Sequence, residues 1–237
     1  MPKKKKKKTK EKKKKSKKEK KKKKKKKKTL AVSKIKKKEK KNGDKAILNY
    51  EKKFSKVKTK SNKILYTNKE ILKISRKTDN NIKKAIDLAY NRIKKFHLKQ
   101  KFLPFKYSDK YNNELSYKYS AIEKVGVYVP GGTASYPSTV LMNCIPAIVA
   151  GVKNIYLTTP SLDSNINPAI VYAAKKCGVK KIYKTGGAHT IAALAYGTNK
   201  IKKVDKIVGP GNAFVACAKK EVFGDVGIKS IKINAKI

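Results

Sequence analysis

Apolar positions in the first half of the chain recur at the intervals of an α-helix. Two segments carry this spacing, one before residue 55 and a longer one from about residue 80: Ala46, Ile47, Tyr50 and Phe54, then Ile82, Ala85, Ile86, Ala89, Ile93 and Phe96. Side chains spaced three or four apart share one helix face. Thr67 and Glu70 have the spacing of a capping box, which opens a further short helix. We therefore predict a mainly helical region over residues 30–124.

From about Glu123 the pattern changes to short apolar runs that alternate with helical segments. Four runs are predicted to be buried strands, each closed by glycine or proline: 125–129, 154–159, 180–184 and 204–208. Successive strand–helix units imply a parallel sheet with right-handed crossovers. Residues 125–228 are thus predicted to form an incomplete doubly wound α/β domain.

Glycine pairs close three of the four predicted strands, at Gly131-Gly132, Gly186-Gly187 and Gly209-x-Gly211. In open parallel sheets, ligands bind beyond the carboxyl ends of the strands, and a glycine turn before a helix suits phosphate. For any single loop the glycines could simply make a tight turn. Three such loops at one edge favour a nucleotide-type ligand. Neither G-x-G-x-x-G nor a P-loop is present, so the residues alone leave the reaction open.

The charge of the chain is concentrated at its start. The formal net charge is +50, and residues 1–28 hold 22 lysines and two glutamates with no apolar surface beyond Met1. We therefore predict a disordered poly-lysine tail over residues 1–29. Only Arg76 and Arg92 are arginines, and lysine attracts phosphate without reading sequence. We interpret the lysine excess as coding bias with incidental polyanion binding; selected nucleic-acid binding is the alternative.

Several classes of protein and site do not fit the composition. No apolar run reaches the length of a membrane-spanning helix, and the N-terminus lacks the apolar core of a secretory signal. The cysteines Cys144, Cys177 and Cys217 form no C-x-x-C pair, which argues against a disulfide framework or structural zinc site and favours a reducing cytoplasm. His97 and His189 are the only histidines, and we expect His97 to be a partly buried or surface residue.

Short blocks over about residues 33–228 resemble histidinol dehydrogenase in their residues, their order and their spacing. The blocks are Gly43-Asp-Lys-Ala46, Val125-Gly-Val-Tyr-Val-Pro-Gly-Gly132, Ser138-Thr-Val-Leu-Met142, Gly186-Gly-Ala188, Ile191-Ala-Ala-Leu194, Val204-Asp-Lys-Ile207 and Gly209-Pro-Gly-Asn-Ala-Phe-Val215. The resemblance implies a zinc-dependent homodimer with paired Rossmann-like, aldehyde-dehydrogenase-like domains. It also implies two NAD-dependent steps, from L-histidinol through L-histidinaldehyde to L-histidine, which end histidine biosynthesis.

The resemblance assigns NAD contacts to Tyr128, His189 and Asn212. A tyrosine at a strand end can pack on a ring, and an amide at a helix start can bond ribose or phosphate. His189 departs from the family, which usually has glutamine there. Both side chains donate and accept hydrogen bonds, although imidazole is stiffer and can titrate. The alternative for His189 is a solvent-facing substitution with no ligand role.

After Ile228 the resemblance stops, and residues 229–237 form an off-pattern tail. The family's Gly-Pro-Ser-Glu segment, its zinc ligands and its Glu-His acid/base pair have no counterpart, so we assign no catalytic and no metal residue. We expect the N-terminal portion of a longer reading frame, ended early by a frame slip. Two further hypotheses remain: a non-catalytic basic protein that binds nucleic acid through its tail, and an inactive remnant that folds poorly.

Overall fold

The computed structural model describes residues 29–38, 41–54, 63–101, 103–131, 136–160 and 166–228. The predicted poly-lysine tail lies outside these residues except for Thr29, and so does the predicted off-pattern tail 229–237.

The described part of the N-terminal region holds four helical segments, a helical character that its apolar spacing predicts. They are α1 (29–38), α2 (41–54), α3 (Asn68–Arg76) and α4 (Asn80–Leu98). At the start of α3, the Thr67 hydroxyl accepts from the Glu70 backbone N–H, and the Glu70 carboxylate accepts from the Thr67 backbone N–H. These reciprocal bonds satisfy two free donors of the first turn, which confirms the predicted capping box.

A β-hairpin interrupts the predicted helical region. Strands β1 (Phe105–Ser108) and β2 (Glu114–Tyr117) pair antiparallel, with Phe105 opposite Tyr117 and Tyr107 opposite Leu115. All eight strand residues are exposed. Asn112 adopts a φ of 63° in the connection, a conformation that asparagine tolerates better than most residues. The hairpin was not predicted, although helices still make up most of the described residues between 30 and 124.

The second half forms one parallel sheet, which confirms the predicted α/β fold. Its strands are β3 (Lys124–Tyr128), β4 (Asn154–Thr158), β5 (Lys181–Tyr183), β6 (Lys206–Val208) and β7 (Gly227–Ile228), in the order β5-β4-β3-β6-β7. The connecting helices are α5 (Pro137–Val149), α6 (Pro168–Lys176), α7 (Gly187–Tyr196) and α8 (Ala213–Glu221). Each of the four predicted strands begins and ends within two residues of its expected bound. The short strand β7 was not predicted.

Helices cover both faces of the sheet because the strands are apolar on both sides. One face, with Val125 and Val127, packs against α4, α5 and α6. The other face, with Tyr128 and Tyr183, packs against α1, α2, α7 and α8. Burial on both faces explains why the strand sequences are continuously apolar rather than alternating. Within the described ranges, no helix combines the length and apolarity needed to cross a bilayer.

Candidate functional site

The loops that leave the carboxyl ends of β3, β4, β5 and β6 meet at one edge of the sheet, here called the carboxyl edge. All four strands are parallel, so their carboxyl ends lie at the same edge of the sheet. A Cβ atom on Gly131 would lie 2.6 Å from the Pro160 carbonyl oxygen, and one on Gly186 would lie 2.6 Å from Pro160 Cβ. The loops after β3, β4 and β5 therefore pack so closely that glycine is required at both positions.

The loop after β6 packs as closely against the end of β3. Gly209 has a φ of +98°, and a Cβ atom there would collide with the carbonyl oxygen of Tyr128. Both the dihedral angle and the contact demand glycine at this position. The glycines of the carboxyl edge thus allow neighbouring loops to pack in close contact, in addition to making turns within each loop.

Tyr128 ends β3 and is buried, with 3% of its surface exposed. Its hydroxyl accepts a hydrogen bond from the backbone N–H of Gly187, over 3.0 Å, at the start of α7. Burial is the main cause that raises the pKa of Tyr128. The phenol is therefore neutral at physiological pH and serves as a hydrogen-bonding group.

His189 lies in the first turn of α7 and is 1% exposed. Its Nε2 lies 2.8 Å from Oε1 of Glu51, and its ring stacks on Tyr50 and Phe54 of α2, with centroids 5.6 and 6.2 Å away. The interpretation of His189 as a solvent-facing substitution is therefore wrong: the histidine is covered by α2, which packs over the start of α7.

Asn212 is the N-cap of α8 and is exposed. Its Oδ1 accepts from the backbone N–H groups of Phe214 (3.0 Å) and Val215 (3.1 Å). Capping uses the oxygen and leaves the amide N–H₂ group as a donor at the surface of the carboxyl edge.

Two charged residues at this edge were not singled out from the sequence. Glu51 of α2 is 3% exposed and contacts the Gly186 turn. Lys219 of α8 is 2% exposed, its Nζ donates to the Gly209 carbonyl oxygen, and burial lowers its pKa to about 8. Glu51 follows the buried Ile47 by four residues, so a carboxylate on the apolar face of a helix was the available signal.

The structure brings the three predicted contact residues to one edge. Tyr128 and His189 are linked through Gly187, which bonds the tyrosine hydroxyl and lies beside the histidine ring. Asn212 follows Gly209, which touches the Tyr128 backbone. At this edge the side chains of Tyr128 and His189 are buried, whereas Asn212 is exposed to solvent.

Two polar groups at the carboxyl edge are open to a ligand. The carboxyl edge offers the exposed amide N–H₂ group of Asn212 and a buried His189 Nδ1 with no hydrogen-bond partner among the described residues. By contrast, those residues include no group of three or more histidines, cysteines or carboxylates able to hold a metal. The three cysteines are free thiols.

A separate groove of about 880 Å³ lies on the Val125 face of the sheet, between the ends of α4 and α5. Its lining is mainly apolar and includes Val208 and Met142, with His97 at one side. His97 is half-buried and hydrogen-bonds Gln100, as expected for a partly buried or surface histidine. None of the three predicted contact residues lines this groove.

A family model described as Histidinol dehydrogenase matches residues 17–233, which is most of the chain. The chain belongs to the histidinol dehydrogenase family. A relative named "Histidinol dehydrogenase" from Pelagibacter ubique (strain HTCC1062) is 57% identical over 204 residues, which cover 86% of this chain and 46% of the relative. One of the same name from Brucella abortus (strain 2308) is 47% identical over 201 residues, covering 85% and 47%.

A solved structure agrees with this family assignment. The crystal structure of histidinol dehydrogenase from Elizabethkingia anophelis matches with a TM-score of 0.81 and 39% identity, over 85% of this chain and 46% of that one. The chain thus spans about half the length of the histidinol dehydrogenases that it matches.

Proposed function

We propose that this chain is the nucleotide-binding portion of an NAD-dependent histidinol dehydrogenase, which oxidises L-histidinol through L-histidinaldehyde to L-histidine in the cytoplasm. The observation that carries the proposal is the convergence of Tyr128, His189 and Asn212 at the carboxyl edge through the Gly187 and Gly209 contacts. A nucleotide is the ligand that parallel sheets bind at such an edge.

The residues of the carboxyl edge would hold and orient the cofactor. NAD, when bound, supplies the hydride acceptor for both oxidations. Backbone N–H groups at the start of α7 and α8 already donate within the chain, to Glu51, Tyr128 and Asn212. The exposed amide N–H₂ of Asn212 would therefore be the donor to ribose or phosphate. Tyr128 would hold the start of α7 in place through Gly187. Together these contacts would fix the cofactor relative to the substrate, which is the main requirement of hydride transfer.

The remaining parts of the reaction are not supplied by the described residues. Removing a proton from the substrate alcohol requires a positioned general base. The buried His189 is bonded to Glu51, and the half-buried His97 lies by the groove on the other face. Zinc has no fitting donor set among the described residues, so we derive no step through it. In this proposal the whole protein works as a homodimer, and the second half of the family's length completes the substrate site.

Calorimetric titration of NAD into the full 237-residue chain tests the proposal. Asn212→Ala removes the amide donor, and we expect NAD binding to weaken about ten-fold, the effect of losing one or two hydrogen bonds. Asn91→Ala, an exposed asparagine on α4, is the matched control and should bind as the parent does. Absence of NAD binding by the parent chain, or equal affinity of both variants, would contradict the proposal.

We also propose that the lysine-rich start of the chain binds polyanions without a specific role. The 22 lysines before residue 29 support this, because lysine-rich segments release counterions when they bind phosphate. DNA binding should fall steeply with salt, should not depend on DNA sequence, and should be lost when residues 1–28 are deleted. Salt-resistant or sequence-selective binding would instead favour the alternative of a dedicated nucleic-acid-binding protein.

A further inference from the structure

A single carboxylate oxygen organises the start of α7. Oε1 of Glu51 accepts hydrogen bonds from the Thr185 hydroxyl (2.6 Å), the Gly186 backbone N–H (3.0 Å) and His189 Nε2 (2.8 Å). Thr190 is within hydrogen-bond distance of the Thr185 hydroxyl, at 2.8 Å, which extends the network into α7. Glu51 belongs to α2, so a residue of the N-terminal region holds the glycine turn of the sheet domain.

The same contact decides which nitrogen of His189 carries the proton. Oε1 of Glu51 already accepts from the Thr185 hydroxyl and the Gly186 N–H, so it acts as an acceptor and Nε2 is assigned as the donor. In the neutral ring, Nδ1 then keeps its lone pair. Nδ1 is buried, has no hydrogen-bond partner among the described residues, and lies on the Gly187 side of the ring, opposite Glu51.

Neighbouring rings hold the imidazole in this orientation. Tyr50 and Phe54 stack against it at interplanar angles of 26° and 21°. A buried acceptor without a partner calls for a donor that the described residues do not supply, from a water molecule or a ligand. The family resemblance expects glutamine here, and a glutamine carbonyl would offer an acceptor of the same kind.

We propose that Glu51 is a positioning residue that keeps His189 in the Nε2–H tautomer, so that Nδ1 presents a lone pair to an N–H or O–H donor of the bound nucleotide. The ligand part of this inference rests on the proposed NAD-binding function. A ribose hydroxyl and a carboxamide N–H₂ are both suitable donors. A phosphate group is not, because it would need a proton on Nδ1.

Nitrogen-15 NMR of the histidine rings tests the tautomer directly, and the chain has only two histidines to assign. A His97→Gln variant identifies the His189 signals. We expect His189 to carry a proton on Nε2 and none on Nδ1 in the parent chain, and Glu51→Gln to give a mixture of tautomers. Glu123→Gln, an exposed carboxylate at the opposite end of β3, should leave the His189 spectrum unchanged.

Titration with NAD tests the ligand part. Nδ1 should change its chemical shift without gaining a proton, and calorimetry in two buffers of different ionisation enthalpy should report no proton uptake. Glu51→Gln should bind NAD about ten-fold more weakly, the effect of losing a hydrogen bond to a charged group, whereas Glu123→Gln should bind normally.

The role of Glu51 and the contact of Nδ1 with NAD are refuted by different results. A His189 protonated on Nδ1 in the parent chain, or a ring spectrum that Glu51→Gln does not alter, would refute the positioning role. Proton uptake with NAD would refute the lone-pair contact. If the parent binds no NAD, the proposed function fails, and the ring spectra still decide the role of Glu51. If Glu51→Gln does not fold, the tautomer of His189 measured in the His97→Gln chain tests the positioning role: a proton on Nδ1 would refute it.

Discussion

The hydroxyl of Tyr128 accepts a hydrogen bond of 3.0 Å from the backbone N–H of Gly187, and this bond joins the end of β3 to the start of α7. The two residues are 59 positions apart in the chain. The bond occupies one of the free N–H groups at a helix start, where side chains or ligands normally accept. Tyr128 therefore holds the glycine turn before α7 in place through this bond, in addition to packing in the core beneath the carboxyl edge.

Tyr128→Phe should destabilise the chain by about 1–2 kcal/mol, because the Gly187 N–H loses its partner while the ring packing is retained. Urea unfolding followed by circular dichroism measures the change. Tyr111→Phe removes a hydroxyl from an exposed tyrosine and should alter the free energy of unfolding by less than about 0.5 kcal/mol. Equal stability of Tyr128→Phe and the parent would show that the bond contributes nothing.

Gly209→Ala should cost more stability than Gly224→Ala, although the two glycines have nearly the same φ, +98° and +96°. A Cβ atom at Gly224 meets nothing within 4 Å, so that variant reports the dihedral cost alone, about 1–2 kcal/mol. At Gly209 the collision with the Tyr128 carbonyl adds to it, and we expect a further loss of about 2 kcal/mol or more. Equal losses in urea unfolding would argue against close packing of the β3 and β6 loops.

Lys219 makes stability depend on pH in a defined window. Burial lowers its pKa to about 8, from the ordinary value of 10.5. Between these values the unfolded chain binds more protons than the folded chain, so the free energy of unfolding rises with pH. The full cost of the buried charge is present below about pH 8.

Lys219→Met removes this dependence. Relative to that variant, the parent should gain about 2 kcal/mol of unfolding free energy between about pH 7.5 and pH 9.5. Lys220→Met, at the exposed neighbouring position, should follow the parent over the same range. Parallel pH profiles for the parent and Lys219→Met would mean that the ammonium is not buried as the structure has it.

The full chain, given L-histidinol, NAD and zinc, should form no NADH above background. The described residues include no group of three or more histidines, cysteines or carboxylates able to hold a metal, and Nε2 of His189 is hydrogen-bonded to Glu51. Absorbance of the reduced nicotinamide measures the product, and the same assay with a full-length histidinol dehydrogenase is the positive control. Robust NADH formation would show that the chain carries its own proton-transfer site.

Much of the sheet domain could be predicted from the sequence because proline, glycine and asparagine mark its boundaries. Pro137 and Pro168 begin α5 and α6, and Asn167 and Asn212 cap α6 and α8. These residues act through local backbone geometry, which a sequence displays directly. The contact residues Tyr128, His189 and Asn212 came instead from the resemblance to histidinol dehydrogenase, and their role stays a prediction.

Features that depend on distant parts of the chain were missed. The hairpin strands are exposed on both sides, so no burial pattern marked them. Strand β7 has two residues and exists because it pairs with β6. Glu51 gains its role only from packing against a turn 135 residues away. Such pairings are set by tertiary contacts that local propensity does not encode.

Hydrogen–deuterium exchange with and without NAD is the most direct measurement of whether a nucleotide lies across the carboxyl edge. We expect slower exchange in three segments together: the end of β3 with Gly131, the start of α7 from Gly186, and the loop from Gly209 to Asn212. Protection confined to the groove beside Met142 and His97, or no protection at any NAD concentration, would contradict it.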